Sequence, residues 1–184
     1  MARQALIEQR PWLLASIAAA TAFYFLRDNP VGEGLWGLVA KGASVGFLAI
    51  YVLMRVPPGR RGADGALLVT ALALASAGDV AIELDFVVGG ALFAAAHCVS
   101  VALYLKNRHK RPSPTQKAIG ITLLTGTPLV SYILSGDGQI ALYGAFLGAM
   151  AAAAWMSHYA RYRVGTGAML FVLSDWLIFA RMGT

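Results

Sequence analysis

The stretch FVVGGALFAAAHCVSVALYL, residues 86–105, contains no Asp, Glu, Lys or Arg and runs directly into Lys106-Asn107-Arg108-His109-Lys110-Arg111-Pro112. An α-helix needs about 20 predominantly apolar residues to cross the hydrocarbon core of a bilayer, and a basic cluster marks where such a helix meets water. Outward from this stretch the same alternation repeats. Apolar runs with charged or Pro/Gly-rich borders predict further spans at 12–27, 34–54, 66–84, 117–135, 139–160 and 164–182, so that residues 86–105 form the fourth of seven. A second sharp break is Arg55-Val56-Pro57-Pro58-Gly59-Arg60-Arg61-Gly62. The expected fold class is all-α, a polytopic transmembrane helical bundle of about seven spans in a single domain covering residues 1–184.

Composition excludes the other classes. The 184 residues are 58% hydrophobic, and the 20 glycines bring the apolar share to roughly 69%, against about 45–50% in soluble domains. Charged residues make up 13%, against a usual ~25%. Those figures leave no soluble globular domain and no disordered chain. Cys98 is the one cysteine, which excludes a disulfide scaffold and a classical zinc module, since the latter needs four Cys or His ligands at close spacing.

The net charge of +6 is explained by where the cations lie. Seven alternating crossings place Arg3, Arg10, Arg55, Arg60, Arg61, Lys106, Arg108, Lys110, Arg111, Lys117, Arg161 and Arg163 on one side, Arg27 and Arg181 on the other, and Lys41 inside a span. Such a positive-inside bias predicts a cytoplasmic N-terminus and an outer C-terminus, as in a bacterial inner-membrane protein, with no need to invoke nucleic acid or an acidic substrate. Ala20-Thr21-Ala22 has the form of a signal-peptidase site, but the apolar run continues through Phe23, Tyr24, Phe25 and Leu26, as a retained span would.

Four ionisable residues fall inside spans: Lys41 in the second, Asp79 in the third, His97 in the fourth and Asp175 in the seventh. Each Lys or Asp at a helix centre costs about 2.5 to 3.5 kcal/mol, so three facing lipid would cost on the order of 8 to 10 kcal/mol. They are therefore expected to face one another or a wet cavity and to mark a functional site. At about 1.5 Å per residue, Lys41, Asp79 and Asp175 each sit roughly 7 to 11 Å from the outer end of their span, with Tyr24 and Tyr143 near the same level and His97 deeper. One pocket open to the outer side is the expectation.

Helical spacing puts Ser76, Asp79 and Glu83 on one face of the third span and Gly90, Phe93, His97 and Ser100 on one face of the fourth. Gly144, Gly148 and Ala152 on the sixth permit close helix approach. Plainer readings exist for each residue. Lys41 can snorkel to the interface, the aspartates can be structural partners of Lys41 or of backbone, His97 can be a satisfied core histidine, and Glu83 and Asp85 can cap a solvated turn.

Three blocks carry a family resemblance: Ser76-Ala77-Gly78-Asp79, then Gly90-Ala91-Leu92-Phe93-Ala94-Ala95-Ala96-His97, and Gly167-Ala168-Met169-Leu170-Phe171-Val172-Leu173-Ser174-Asp175. In order and separation they resemble the signature blocks of the YhhN family, the lysoplasmalogenases, and Lys41 falls where that family carries an intramembrane lysine. The resemblance runs from about residue 35 to 182. It departs in two places: the family's lysine is usually followed by proline where Gly42 stands here, and the family's eight spans are matched by seven.

The resemblance implies hydrolysis of the vinyl ether bond of a lysoplasmalogen to a fatty aldehyde and a glycerophospho-ethanolamine or -choline. That chemistry needs a proton donor to the alkenyl carbon and a carboxylate beside an oxocarbenium-like centre, a demand similar to that of glycosidases. Asp79 and Asp175 are the candidate catalytic pair. Lys41, His97, Ser76, Ser174 and Glu83 are candidates for support, and Tyr24, Tyr143, Phe93 and Phe171 for contact with the lysophospholipid substrate. No metal and no cofactor is called for, and membrane lipids are the surroundings. Competing readings are a proton-coupled transporter, a zinc-dependent amide hydrolase and a non-catalytic heptahelical protein. Against the first stands the lack of a duplicated half; against the second, that His109 and His158 fall away from His97.

Overall fold

The computed structural model describes residues 10–26, 34–55 and 62–183, and among these described residues seven α-helices follow one another. They are α1 (Arg10–Leu26), α2 (Leu35–Arg55), α3 (Ala63–Ala81), α4 (Phe86–Lys106), α5 (Pro114–Ser135), α6 (Gly138–Met156) and α7 (Arg161–Met182). There is no β-strand among the described residues, only an isolated antiparallel bridge between Arg108 and Ser157. Helices α2 to α7 are each long and apolar enough to cross a membrane, and α1 is a shorter apolar helix. Leu14, Phe25, Ile133, Leu142 and Leu177 point outward, each more than half exposed. Such a surface suits hydrocarbon and not water.

The helix borders follow local chemistry. Helix α5 starts three residues before the predicted 117 because Ser113 and Gln116 form a reciprocal capping box and Pro114 occupies the first turn, where its missing N–H costs nothing. It ends at Gly136, whose φ of 69° is the left-handed region open to glycine. Helix α6 stops at Met156, short of the predicted 160, because Ser157 turns extended and its hydroxyl donates back to the Ala154 carbonyl at 2.7 Å. Helix α3 stops at Ala81 and not at 84, for a reason that bears on the site. Of the sequence expectations, Arg3, Arg27, Arg60 and Arg61 lie outside the described residues.

Contacts divide the chain into two units, Met1–Val99 and Ser100–Thr184. In the first, α1 packs on α2 and α2 on α3. In the second, α5 packs on α6 and both pack on α7. The core of the second unit is α6, where Leu147, Met150, Ala151 and Ala154 meet Ala168 and Val172 of α7. Its approach to α5 depends on two glycines: a Cβ at Gly144 would lie 2.6 Å from Ser131 Oγ, and one at Gly148 would lie 2.7 Å from the Leu123 carbonyl oxygen. With no hydrophobic drive between helices in lipid, such backbone-to-backbone closeness is what holds them.

Candidate functional site

In the first unit the polar residues gather where α2 meets the end of α3. Asp85 explains why α3 ends there. Its carboxylate accepts from the N–H groups of Val87 at 2.8 Å and Val88 at 2.9 Å, an N-terminal cap for α4 that obliges the preceding helix to finish first. The turn between is tight, since a Cβ at Gly89 would stand 2.5 Å from Ile82 Cα. Glu83 therefore lies in the turn, as the solvated-turn reading has it, and not on the helical face with Ser76 and Asp79. From the turn it forms an ion pair with Lys41 of α2. The lysine side chain is 21% exposed and that of Glu83 46%.

Helix α2 comes close to α3 just beyond the lysine. A Cβ at Gly42 would meet Val80 Cγ2 at 2.5 Å, and the Ser76 hydroxyl donates to the Gly42 carbonyl at 2.7 Å. Glycine in the position after Lys41 is thus a packing requirement, and Ser76 is a strut between helices. Asp79, half-buried one turn before Glu83, feels the charges of both Lys41 and Glu83. The ring of Phe93 is seated against Gly78, where a Cβ would be 3.0 Å away. One turn further along α4, His97 is buried. The Phe23 ring lies 5.6 Å from the Lys41 ammonium, close enough for a cation–π contact.

In the second unit Asp175 is the centre. Buried residues Ala168, Val172, Asp175 and Phe179 recur at helical spacing on α7, so the carboxyl lies on the packed face of its helix. It is 8% exposed. The Tyr143 hydroxyl of α6 donates to Asp175 Oδ2 at 2.8 Å, and the tyrosine ring packs edge-on to Phe179 at 5.9 Å. An uncompensated carboxyl on this face would be costly, and the phenol supplies the partner. Ser174 and Phe171 are exposed on α7.

The structure thus brings Lys41, Glu83 and Asp79 together with Ser76 and Phe93 in one unit, and Asp175 with Tyr143 in the other. The ion-pair partner of Lys41 is Glu83, not an aspartate. Tyr24 is exposed and edge-on to Phe25 at 5.4 Å. Phe23 escaped the sequence reading, which has no means to tell it from the apolar residues around it. An apolar groove is lined by Ala19, Ala22, Trp36, Val39, Ala43 and Phe47 of α1 and α2. Among the described residues, no three of His, Cys, Asp and Glu are grouped so as to hold a metal ion.

The sequence profile of the YhhN family matches residues 36–183, a span that includes Lys41, Asp79, His97 and Asp175 and leaves out α1. No curated protein and no solved structure matches the chain.

Proposed function

The chain belongs to the YhhN family, and we propose that this integral membrane protein hydrolyses the vinyl ether bond of lysoplasmalogens. The observation that carries the reading is Asp175, an acid on the packed face of an apolar helix and gripped by a phenol at 2.8 Å. An ionisable residue so placed marks a functional site by default.

In the proposed reaction a carboxylic acid donates its proton to the β-carbon of the alkenyl ether. The C=C electrons take up that proton, and positive charge spreads over the α-carbon and the ether oxygen as an oxocarbenium ion. Water adds to the α-carbon and gives up a proton to a carboxylate. The hemiacetal then collapses, its hydroxyl proton passing to the glycerol oxygen as the C–O bond breaks, and a fatty aldehyde and a glycerophospho alcohol leave. Asp79 and Asp175 are each candidates for the carboxylic acid or the carboxylate. Lys41 and Glu83 are assigned the headgroup: an ammonium for the phosphodiester, a carboxylate for the ethanolamine or choline cation. The apolar groove between α1 and α2 offers a bed for an alkenyl chain.

The test is aldehyde release from lysoplasmenyl-ethanolamine by the purified chain in detergent, beside Asp79→Asn and Asp175→Asn. Aldehyde from the wild type and from neither variant supports the assignment. Wild-type rates in one variant remove that aspartate from the chemistry, and no aldehyde from folded wild type overturns the reading.

A further inference from the structure

A second polar centre, unused by that chemistry, lies where the α4–α5 and α6–α7 connections meet. Arg108 and Ser157 form the antiparallel bridge, the His109 N–H donates to the Met156 carbonyl at 2.9 Å, and the His158 N–H donates to the Asn107 carbonyl at 2.9 Å. His158 Nδ1 also lies 2.8 Å from that Asn107 carbonyl, and its ring stacks on Tyr159 at 4.7 Å. Two loops that are separate in sequence are thus pinned into one platform. On it Arg108, His109, Lys110, Arg111 and His158 line a cleft of about 640 Å³.

Three features define what this cleft fits. No carboxylate lines it, and no Asp or Glu occurs anywhere between Asp85 and Asp137 or between Asp137 and Asp175, so the chain supplies no acid from these segments. The space exceeds what a single ion needs, and all five lining residues are exposed, so the cleft is open to a headgroup. The cleft also stands at the ends of membrane-length helices, with Trp155 and the 86%-exposed Tyr162 nearby in sequence, an aromatic signature of headgroup depth. Arginine's planar fork suits phosphate oxygens.

We propose that this cleft binds the phosphodiester headgroup of an anionic membrane phospholipid. It is separate from the aspartate of the second unit: α7 starts at Arg161, and Asp175 follows roughly 21 Å further along the helix axis at 1.5 Å per residue. Its occupant is a resident lipid and not the zwitterionic substrate.

Each basic residue near a membrane surface contributes about a fivefold gain in affinity for anionic lipid, so three together contribute on the order of a hundredfold. The full chain in neutral detergent is titrated with dioleoyl phosphatidylglycerol, dioleoyl phosphatidylcholine and inorganic phosphate, with binding read by native mass spectrometry and by thermal protection. The expected result is a preference for the glycerol lipid that falls about a hundredfold in Arg108→Gln/Lys110→Gln/Arg111→Gln. If the triple variant fails to fold, the single Lys110→Gln is expected to lose about fivefold. Equal binding of the two lipids overturns the proposal, as does full retention in whichever variant folds. Protection of the wild type by inorganic phosphate equal to that by the glycerol lipid overturns the lipid assignment in favour of free phosphate. Because none of these readouts uses aldehyde release, they stand apart from the test of the hydrolase.

Discussion

Replacing Tyr143 by phenylalanine removes one oxygen and leaves the ring that packs on Phe179 at 5.9 Å. The loss includes the 2.8 Å bond from the phenol to Asp175 Oδ2, an acid that is 8% exposed. A bond to an ionised acceptor contributes about 1.5–3 kcal/mol, against roughly 1 kcal/mol for a neutral one. With Asp175 taken as the ionised member of the carboxyl pair, Tyr143→Phe is expected to cost about 1.5–3 kcal/mol in the wild-type background and about 1 kcal/mol after Asp175→Asn, which keeps an acceptor oxygen but drops the charge. The assay is a double-mutant cycle on denaturant unfolding in mixed micelles, with aldehyde release measured in parallel. If the bond also fixes the carboxyl for reaction, kcat/KM falls by roughly tenfold to a hundredfold at 1.36 kcal/mol per decade. Strictly additive costs, within about 0.5 kcal/mol, would show that the two side chains do not act on one another and refute the reasoning.

At Gly148 the neighbour of a new Cβ is the Leu123 carbonyl at 2.7 Å, which cannot turn aside, whereas nothing lies within 4 Å at Gly167; thermal unfolding is expected to show Gly148→Ala destabilised by about 1–3 kcal/mol and Gly167→Ala stabilised by about 0.5–1 kcal/mol. Lys41→Met is expected to cost at most about 1 kcal/mol, because the pair with Glu83 is partly exposed, and the exchanged pair Lys41→Glu/Glu83→Lys should recover most of it. Asp85→Ala removes the acceptor for Val87 and Val88 and should lower stability by about 0.5–2 kcal/mol in the same unfolding assay. Chelation with excess EDTA is expected to leave aldehyde release unchanged, and loss of activity that zinc restores would favour the metal-dependent amide hydrolase instead.

The helices were legible because a bilayer imposes one demand, about 20 apolar residues between polar borders, which six of the seven described helices meet and the shorter α1 does not. The errors occur where side chains decide a border. Ile82-Glu83-Leu84 continues the helical pattern of α3, and only the Asp85 cap ahead of Phe86 and Val87 shows that the helix must already have ended. That displaced Glu83 from the face of Asp79 and hid its pairing with Lys41. The Ala160 border failed for a related reason, since a tie between residues 108 and 157 has no local signal. Tyr143 was found by depth alone. Depth along a helix is readable from sequence, but the rotation that aims a phenol at a particular carboxyl depends on how far α6 sinks toward its neighbours.

That last dependence links the small residues to the acids. In water a buried aspartate can be supported by many means, but within apolar helices the donors are few and must come from a side chain on a facing helix. Tyr143 can serve only if α6 is held in place, and it is followed directly by Gly144, whose missing Cβ lets α6 settle against Ser131 and Pro128 of α5. In the first unit the order is the same: Lys41 reaches Glu83, and Gly42, the next residue, lets α2 close on Val80 and Ser76. At both centres the polar residue is immediately followed by the glycine that sets its helix. A substitution at either glycine should therefore disturb the adjacent polar contact before it unfolds the helix pair, which separates these two positions from Gly148, where only packing is at stake.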